Sequence, residues 1–188
     1  MKLEARRQFL HFFFGCIVIL TVALIGAKYW ILLNAGILAL GLAVSLLIKK
    51  KKITPFPFIG DLLSLAGRHS EKQMPGKGAI MFFAGTLLVS IIFYPYLNIL
   101  LGSMIVLVFG DSISTVIGKS MGKFKLVSKR TLEGTASGIF FSFLFLSLLF
   151  APGIAIITAI IGMFAEYLPI NDNISIPLIS GFVLLILV

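Results

Sequence analysis

The chain reads as a series of apolar blocks separated by short polar or Pro/Gly interruptions. Most blocks are about 17 to 25 residues long, the length that crosses bilayer hydrocarbon as a helix. About seven segments are predicted, near residues 8–26, 29–48, 79–95, 97–118, 133–150, 152–168 and 174–188. Lys28, Pro95 between Tyr94 and Tyr96, Pro152-Gly153 and the polar turn from Pro169 to Asn173 supply the breaks. The pattern predicts an all-α integral membrane protein with about seven transmembrane helices, in one membrane domain over residues 1–188. No internal repeat and no soluble domain is evident. The 49–78 connection is the longest loop, with room for a short interfacial helix.

Composition agrees with that reading. Hydrophobic residues make up 59% and charged residues only 12%, against about 25% charged in an ordinary soluble domain; mean hydropathy is +1.11. The first apolar run, Phe9 to Gly26, lacks a small-residue cleavage site and is followed by another membrane-length run, so it reads as a retained span. Cys16 lies alone inside it, which removes an intramolecular disulfide or a cysteine zinc site; it reads as a small packing residue. Neither histidine has a second histidine at metal spacing.

Charge placement predicts orientation. With the N-terminus cytoplasmic, the inward segments are 1–7, 49–78, 119–132 and 169–173. They hold Lys2, Arg6, Arg7, Lys49, Lys50, Lys51, Lys52, Arg68, Lys72, Lys77, Lys119, Lys123, Lys125, Lys129 and Arg130, leaving only Lys28 of the 16 cations outside. All seven acids, Glu4, Asp61, Glu71, Asp111, Glu133, Glu166 and Asp172, also fall on or near the inner side. The positive-inside rule concerns Lys and Arg, so it leaves the acids unexplained. A single inward-facing polar site would explain them.

Asp111 lies seven residues before Gly118, hence about 10 Å inward from that helix end. An ionised carboxylate there costs up to a few kcal/mol and is a functional candidate. Asp111, Thr115, Gly118 and Gly122 share one helical face, which suits either a polar site or small-residue helix packing. Lys129 and Glu133, four residues apart, could bracket phosphate and Mg²⁺ or form a solvated ion pair. Pro75-Gly76-Lys77-Gly78 precedes a span, where backbone donors and an ammonium meet anions; it is not a Walker A motif. Lys49 to Lys52 read as a cytoplasmic boundary attracted to anionic lipid. Arg7 and His11 share a face at the start of the first span, and Glu166, Asp172 and Asn173 cluster around the last turn.

The pattern Phe109-Gly110-Asp111-Ser112, then Gly118 and Gly122, then Lys129-Arg130-Thr131-Leu132-Glu133-Gly134-Thr135 resembles the CTP-dependent lipid kinases: dolichol or polyprenol kinase, phytol kinase and yeast-type diacylglycerol kinase. Arg6-Arg7 with His11 looks like that family's basic N-terminal box, Pro75-Gly76-Lys77-Gly78-Ala79 like its Gly-Lys-Gly box, and Asp172-Asn173-Ile174-Ser175-Ile176-Pro177 like its C-terminal box. Together the boxes span nearly the whole chain. The resemblance implies transfer of the CTP γ-phosphate to a membrane isoprenoid alcohol, leaving CDP. It assigns Asp111 and Glu133 to Mg²⁺ or another divalent cation, and Lys77, Lys129 and Arg130 to phosphate. The nucleotide set is completed by Gly76, Gly78, Ser112, Thr115, Gly118, Gly122, Thr131, Gly134, Arg7 and Asn173. Glu166, Asp172 or His11 would orient or deprotonate the acceptor.

Phosphatidate cytidylyltransferases share the central motif, use CTP and form a CDP-lipid. They add a Lys-Asp box and a His-Gly-Gly turn; Lys-Asp is absent here and neither histidine is followed by two glycines, which favours the kinase. The expected partners are CTP, a long-chain lipid alcohol and the bilayer of a cell membrane or endomembrane, not nucleic acid; homo-oligomerisation is left open. A small transporter is the reading from another class. Its expected marks, midplane charges and matching broken segments in two halves, are not evident.

Overall fold

The computed structural model describes residues 2–50, 74–126 and 130–188, with side chains from Arg7 onward. Among them all regular structure is helical, apart from one isolated antiparallel bridge between Lys125 and Thr131. Helix α1 (Lys2–Lys49) is two rods end to end, because Gly26 has φ +78° and ψ 165°. That backbone region is open essentially only to glycine, so helical geometry stops there. Next come α2 (Lys77–Ile92) and α3 (Leu97–Ile105), the latter running without interruption through a π-helical segment (Val106–Asp111) into α4 (Ser112–Ser120). Helix α5 (Leu132–Leu146) and α6 (Pro152–Phe164) follow, α6 ending in a 3₁₀ turn (Ala165–Tyr167), and α7 (Asp172–Leu187) closes the fold.

Side-chain contacts give the direction of each rod. Phe12 meets Phe109 edge to face with centroids 5.2 Å apart, and His11 meets Phe82 at 4.9 Å, so α1 begins beside the start of α2 and the π-helical segment. The Asn34 amide and Thr86 hydroxyl are hydrogen-bonded at 3.0 Å, and the Ser45 hydroxyl donates to the Pro75 carbonyl at 2.8 Å. The second half of α1 therefore returns antiparallel to α2. Helix α5 packs against α4 and α6, and α7 against α6, α3 and α2. Leu100, Met104, Leu107, Leu146, Met163, Ile176 and Leu184 fill the fully buried centre.

The outer surface is apolar too, with Phe9, Leu24, Leu32, Leu148 and Ile186 largely exposed, far beyond what a water-soluble surface carries. By length and composition two helices can cross a membrane: Arg7–Lys49 and Leu97–Ser120, the second mostly buried. Lys77–Ile92, Leu132–Leu146, Pro152–Tyr167 and Asp172–Leu187 are apolar but shorter. The apolar runs through Pro95 and Phe150 outlast their helices, which stop at Ile92 and Leu146. There Tyr96 N–H donates to the Phe93 carbonyl and Leu149 N–H to the Leu146 carbonyl, making tight turns from residues hydropathy cannot distinguish from helix. The interfacial helix expected within 49–78 falls mostly outside the described residues.

Candidate functional site

The polar residues converge at one end of the rods. The π-helical segment ends on Asp111, and such segments inside α-helices are frequent at functional sites. Thr115 lies one turn beyond Asp111, on α4, and both are buried, as is Ser114. After α4 the chain forms a small hairpin: Leu132 N–H donates to the Phe124 carbonyl and Leu126 N–H to the Arg130 carbonyl, both at 2.9 Å. This hairpin carries Arg130 back over the end of α4. Thr131 caps α5, its side chain accepting from Gly134 N–H at 3.2 Å.

Arg130 is the hub of the site. Its Nη2 donates to Asp172 Oδ2 at 2.6 Å, and its Nη1 lies 3.2 Å from Glu166 Oε2, 3.8 Å from Asp111 Oδ1 and 3.4 Å from the Thr115 hydroxyl. Burial works against the cation, but Glu166, Asp111 and Asp172 outweigh it and hold the guanidinium pKa above its ordinary value. The Glu166 side chain is 0% exposed, and it also accepts from Thr135 at 2.7 Å and Ser114 at 3.1 Å. Tyr167 Oη shares the Thr135 hydroxyl at 2.7 Å. Four stretches distant in sequence thus supply one cluster, three carboxylates around a single guanidinium.

Of the predicted residues, the structure unites Asp111, Thr115, Arg130, Glu166 and Asp172. Ser112 lies beside Asp111, buried, its hydroxyl without a partner among the described residues. Asn173 sits at the junction of α7 and α2: its N–H donates to Asn171 Oδ1 at 3.1 Å, and its carbonyl faces Gly85. Glu133 does not join the cluster; its carboxylate accepts from the N–H groups of Lys123 and Phe124 at 3.0 to 3.3 Å. Gly118 and Gly134 serve close packing, since a β-carbon on Gly134 would lie 2.7 Å from the Ser114 carbonyl oxygen and 2.9 Å from Gly118 Cα. Gly122 packs under Thr131. Gly76, at φ +75°, precedes α2, with Lys77 and Gly78 exposed in its first turn. Arg7 and His11 lie on α1, and Lys129 falls outside the described residues.

Sequence reasoning missed Ser114, Thr135 and Tyr167. Ser114 carries a signal, one helical turn beyond Asp111, whereas Tyr167 reaches the site only through the 3₁₀ turn. Among the described residues no group of three or more His, Cys, Asp or Glu is arranged to hold a metal. Magnesium needs only one or two carboxylates besides phosphate and water. Asp111, with the unpartnered Ser112 hydroxyl beside it, fits that requirement; Glu133 lies outside the cluster, accepting from backbone N–H groups.

An uncharacterized protein of Methanocaldococcus jannaschii, MJ1137, is 30% identical over 188 residues, covering 96% of this chain and 92% of that protein. No protein-family profile and no solved structure matches the chain.

Proposed function

The chain belongs to the family of the archaeal protein MJ1137, and from its sequence boxes and site geometry we propose a multi-pass membrane lipid kinase. It would transfer the CTP γ-phosphate to an isoprenoid alcohol of the polyprenol or dolichol type, releasing CDP. The observation that carries this reading is the Arg130 cluster: three carboxylates and a guanidinium, gathered at the polar end of an otherwise apolar bundle.

Under this reading the chain would cross the bilayer seven times, with Arg7–Lys49 and Leu97–Ser120 as the helices long enough by length and composition and the shorter apolar helices as the remaining crossings. Contacts of His11 with Phe82, Phe12 with Phe109, Ser45 with Pro75 and Arg130 with Glu166 and Asp172 gather helix ends around the site. Positive-inside bias puts the end that holds the site in the cytoplasm. The 16-residue rods α2 and α7 are about 24 Å long at 1.5 Å per residue, short of about 30 Å of hydrocarbon, a mismatch that local bilayer thinning accommodates.

Bound Mg²⁺–CTP would supply the transferable phosphoryl group with part of its charge neutralised. Asp111 would contact the metal, with the Ser112 hydroxyl beside it. Arg130, held in place by Glu166 and Asp172, presents a fixed cation to phosphate oxygens, and Lys77 and Lys129 would add further positive charge. Glu133 acts indirectly by holding the turn at Lys123 and Phe124 that aims the hairpin. These interactions stabilise charge on the transferring group rather than forming covalent intermediates.

The test incubates purified protein in detergent with γ-labelled CTP and Mg²⁺, offering polyprenols, phytol, geranylgeraniol, diacylglycerol or phosphatidate. Label on an alcohol supports the kinase. A CDP-lipid with released pyrophosphate indicates a cytidylyltransferase, and neither product redirects attention to transport. Asp111→Asn should abolish transfer with membrane insertion intact; near-wild-type turnover would remove Asp111 from the site.

A further inference from the structure

Besides the Ser112 hydroxyl, two side-chain atoms near the site lack hydrogen-bond partners among the described residues. Gln8 is only 5% exposed, yet its Oε1 has no hydrogen-bond partner among the described residues, and neither does the buried Nε2 of His11. A buried unsatisfied atom costs about 1–3 kcal/mol, so two within one turn of a helix demand a reason. Glu166 and Asp172, the other acceptor-side candidates, are both engaged with Arg130.

Gln8 and His11 are three residues apart on α1, which puts them on one face with β-carbons about 5–6 Å apart. His11 stacks edge-on against Phe82 of α2. Its neighbour Phe12 touches Phe109, two residues before Asp111. Since α1 and α3–α4 run antiparallel, Gln8 falls level with the turn that follows Asp111. The pair therefore lies at the depth of the proposed phosphoryl site, flanked by apolar rings.

From this placement we propose that Gln8 and His11 form the hydroxyl-recognition site for the lipid acceptor, an inference that rests on the lipid-kinase reading. A primary alcohol matches the pair: its O–H donates to Gln8 Oε1, and its oxygen accepts from the Nε2–H tautomer of His11. A hydrocarbon of the same length satisfies neither. Recognition here selects an alcohol head group at the level of Asp111, while the chain beyond it makes only apolar contact.

The test uses the full-length protein in nanodiscs, with geranylgeraniol and the matching hydrocarbon lacking the hydroxyl. Geranylgeraniol should raise the unfolding temperature of the wild type and the hydrocarbon should not. In Gln8→Leu and His11→Phe the alcohol shift should vanish, while stabilisation by CTP with Mg²⁺ is retained. Because each substitution replaces an unpartnered buried atom with an apolar group, both variants should unfold without ligand at or above the wild-type temperature. A lower apo unfolding temperature, or an alcohol shift that persists in both variants, overturns the proposal. The binding readout separates the two readings. Alcohol binding that depends on Gln8 and His11 without labelled lipid in the CTP assay refutes the kinase alone, and transfer that survives both substitutions with an unchanged KM for the alcohol refutes the recognition site alone.

Discussion

Replacing Arg130 with Met, alone and with Glu166→Gln, measures how far the cluster acts as a unit. Met keeps an unbranched apolar stem but strands Glu166, whose 0% exposed carboxylate then has only the Thr135 and Ser114 hydroxyls. Removing one partner of a buried pair costs about 3–5 kcal/mol. The Arg130 and Asp172 side chains are 19% and 34% exposed, so solvent screens part of the interaction and the lower end, about 3 kcal/mol, applies. Glu166→Gln preserves shape and leaves Arg130 with Asp172 and Asp111, for a loss of about 1–2 kcal/mol. Independent effects would sum to about 4–5 kcal/mol. The double variant removes both members of the Arg130–Glu166 pair, so it should fall short of that sum by at least about 1.5 kcal/mol. At about 2–4 °C per kcal/mol for a chain of this size, Arg130→Met should unfold about 6–12 °C below wild type. Fluorescence of Trp30, the only tryptophan and 2% exposed, reports the transition in detergent. Additivity within about 0.5 kcal/mol would refute the coupled cluster.

Two further substitutions probe the backbone. Gly134→Ala sets a methyl group against the Ser114 carbonyl oxygen at 2.7 Å and Gly118 Cα at 2.9 Å, backbone atoms that can move only with their helix, so stability should fall by about 1–3 kcal/mol; an unchanged unfolding temperature would show that α4 and α5 separate freely. Gly26→Ala should also destabilise, by about 1–3 kcal/mol, because φ +78° strains any other residue. Gly36→Ala, where nothing lies within 4 Å, should stabilise by up to about 1 kcal/mol through helix propensity, and the opposite order for this pair would mean α1 is straight.

The rods were legible because apolar blocks are long and their breaks are chemically blunt. Lys28 marked a break that the backbone makes two residues earlier, at Gly26. Turns built from apolar residues, as at Leu148 to Phe150, carry no such mark. The members of the site were largely readable as well, since Asp111, Glu166 and Asp172 stand out against apolar surroundings. Their pairing was not. Arg130 read as a phosphate ligand, and its three-carboxylate environment depends on the Lys125–Thr131 bridge, which no local spacing announces. Glu133 read as a metal ligand from the family resemblance and from its spacing to Lys129, neither of which says where its carboxylate points. The hairpin turns its carboxylate onto the backbone of Lys123 and Phe124 instead. The glycines carried two readings, and tight backbone approach at Gly118 and Gly134 gives the packing role its physical basis.

The π-helical segment from Val106 to Asp111 constrains how this protein can change over evolutionary time. Each residue of an α-helix advances about 100° around the axis, and a π turn absorbs one extra residue without ending the rod. The segments before and after it are thus phased independently: Leu100 and Met104 point into the apolar centre on one phase, Asp111 and Thr115 into the polar cluster on another. Point substitutions can alter what stands on either face, but none can rotate one face against the other. Only gain or loss of a residue in the regular helix on either side does that, turning the whole site about 100° away from Arg130. Within the π turn the loss of one residue is different, because it returns the stretch to α-helical spacing with both faces still in place.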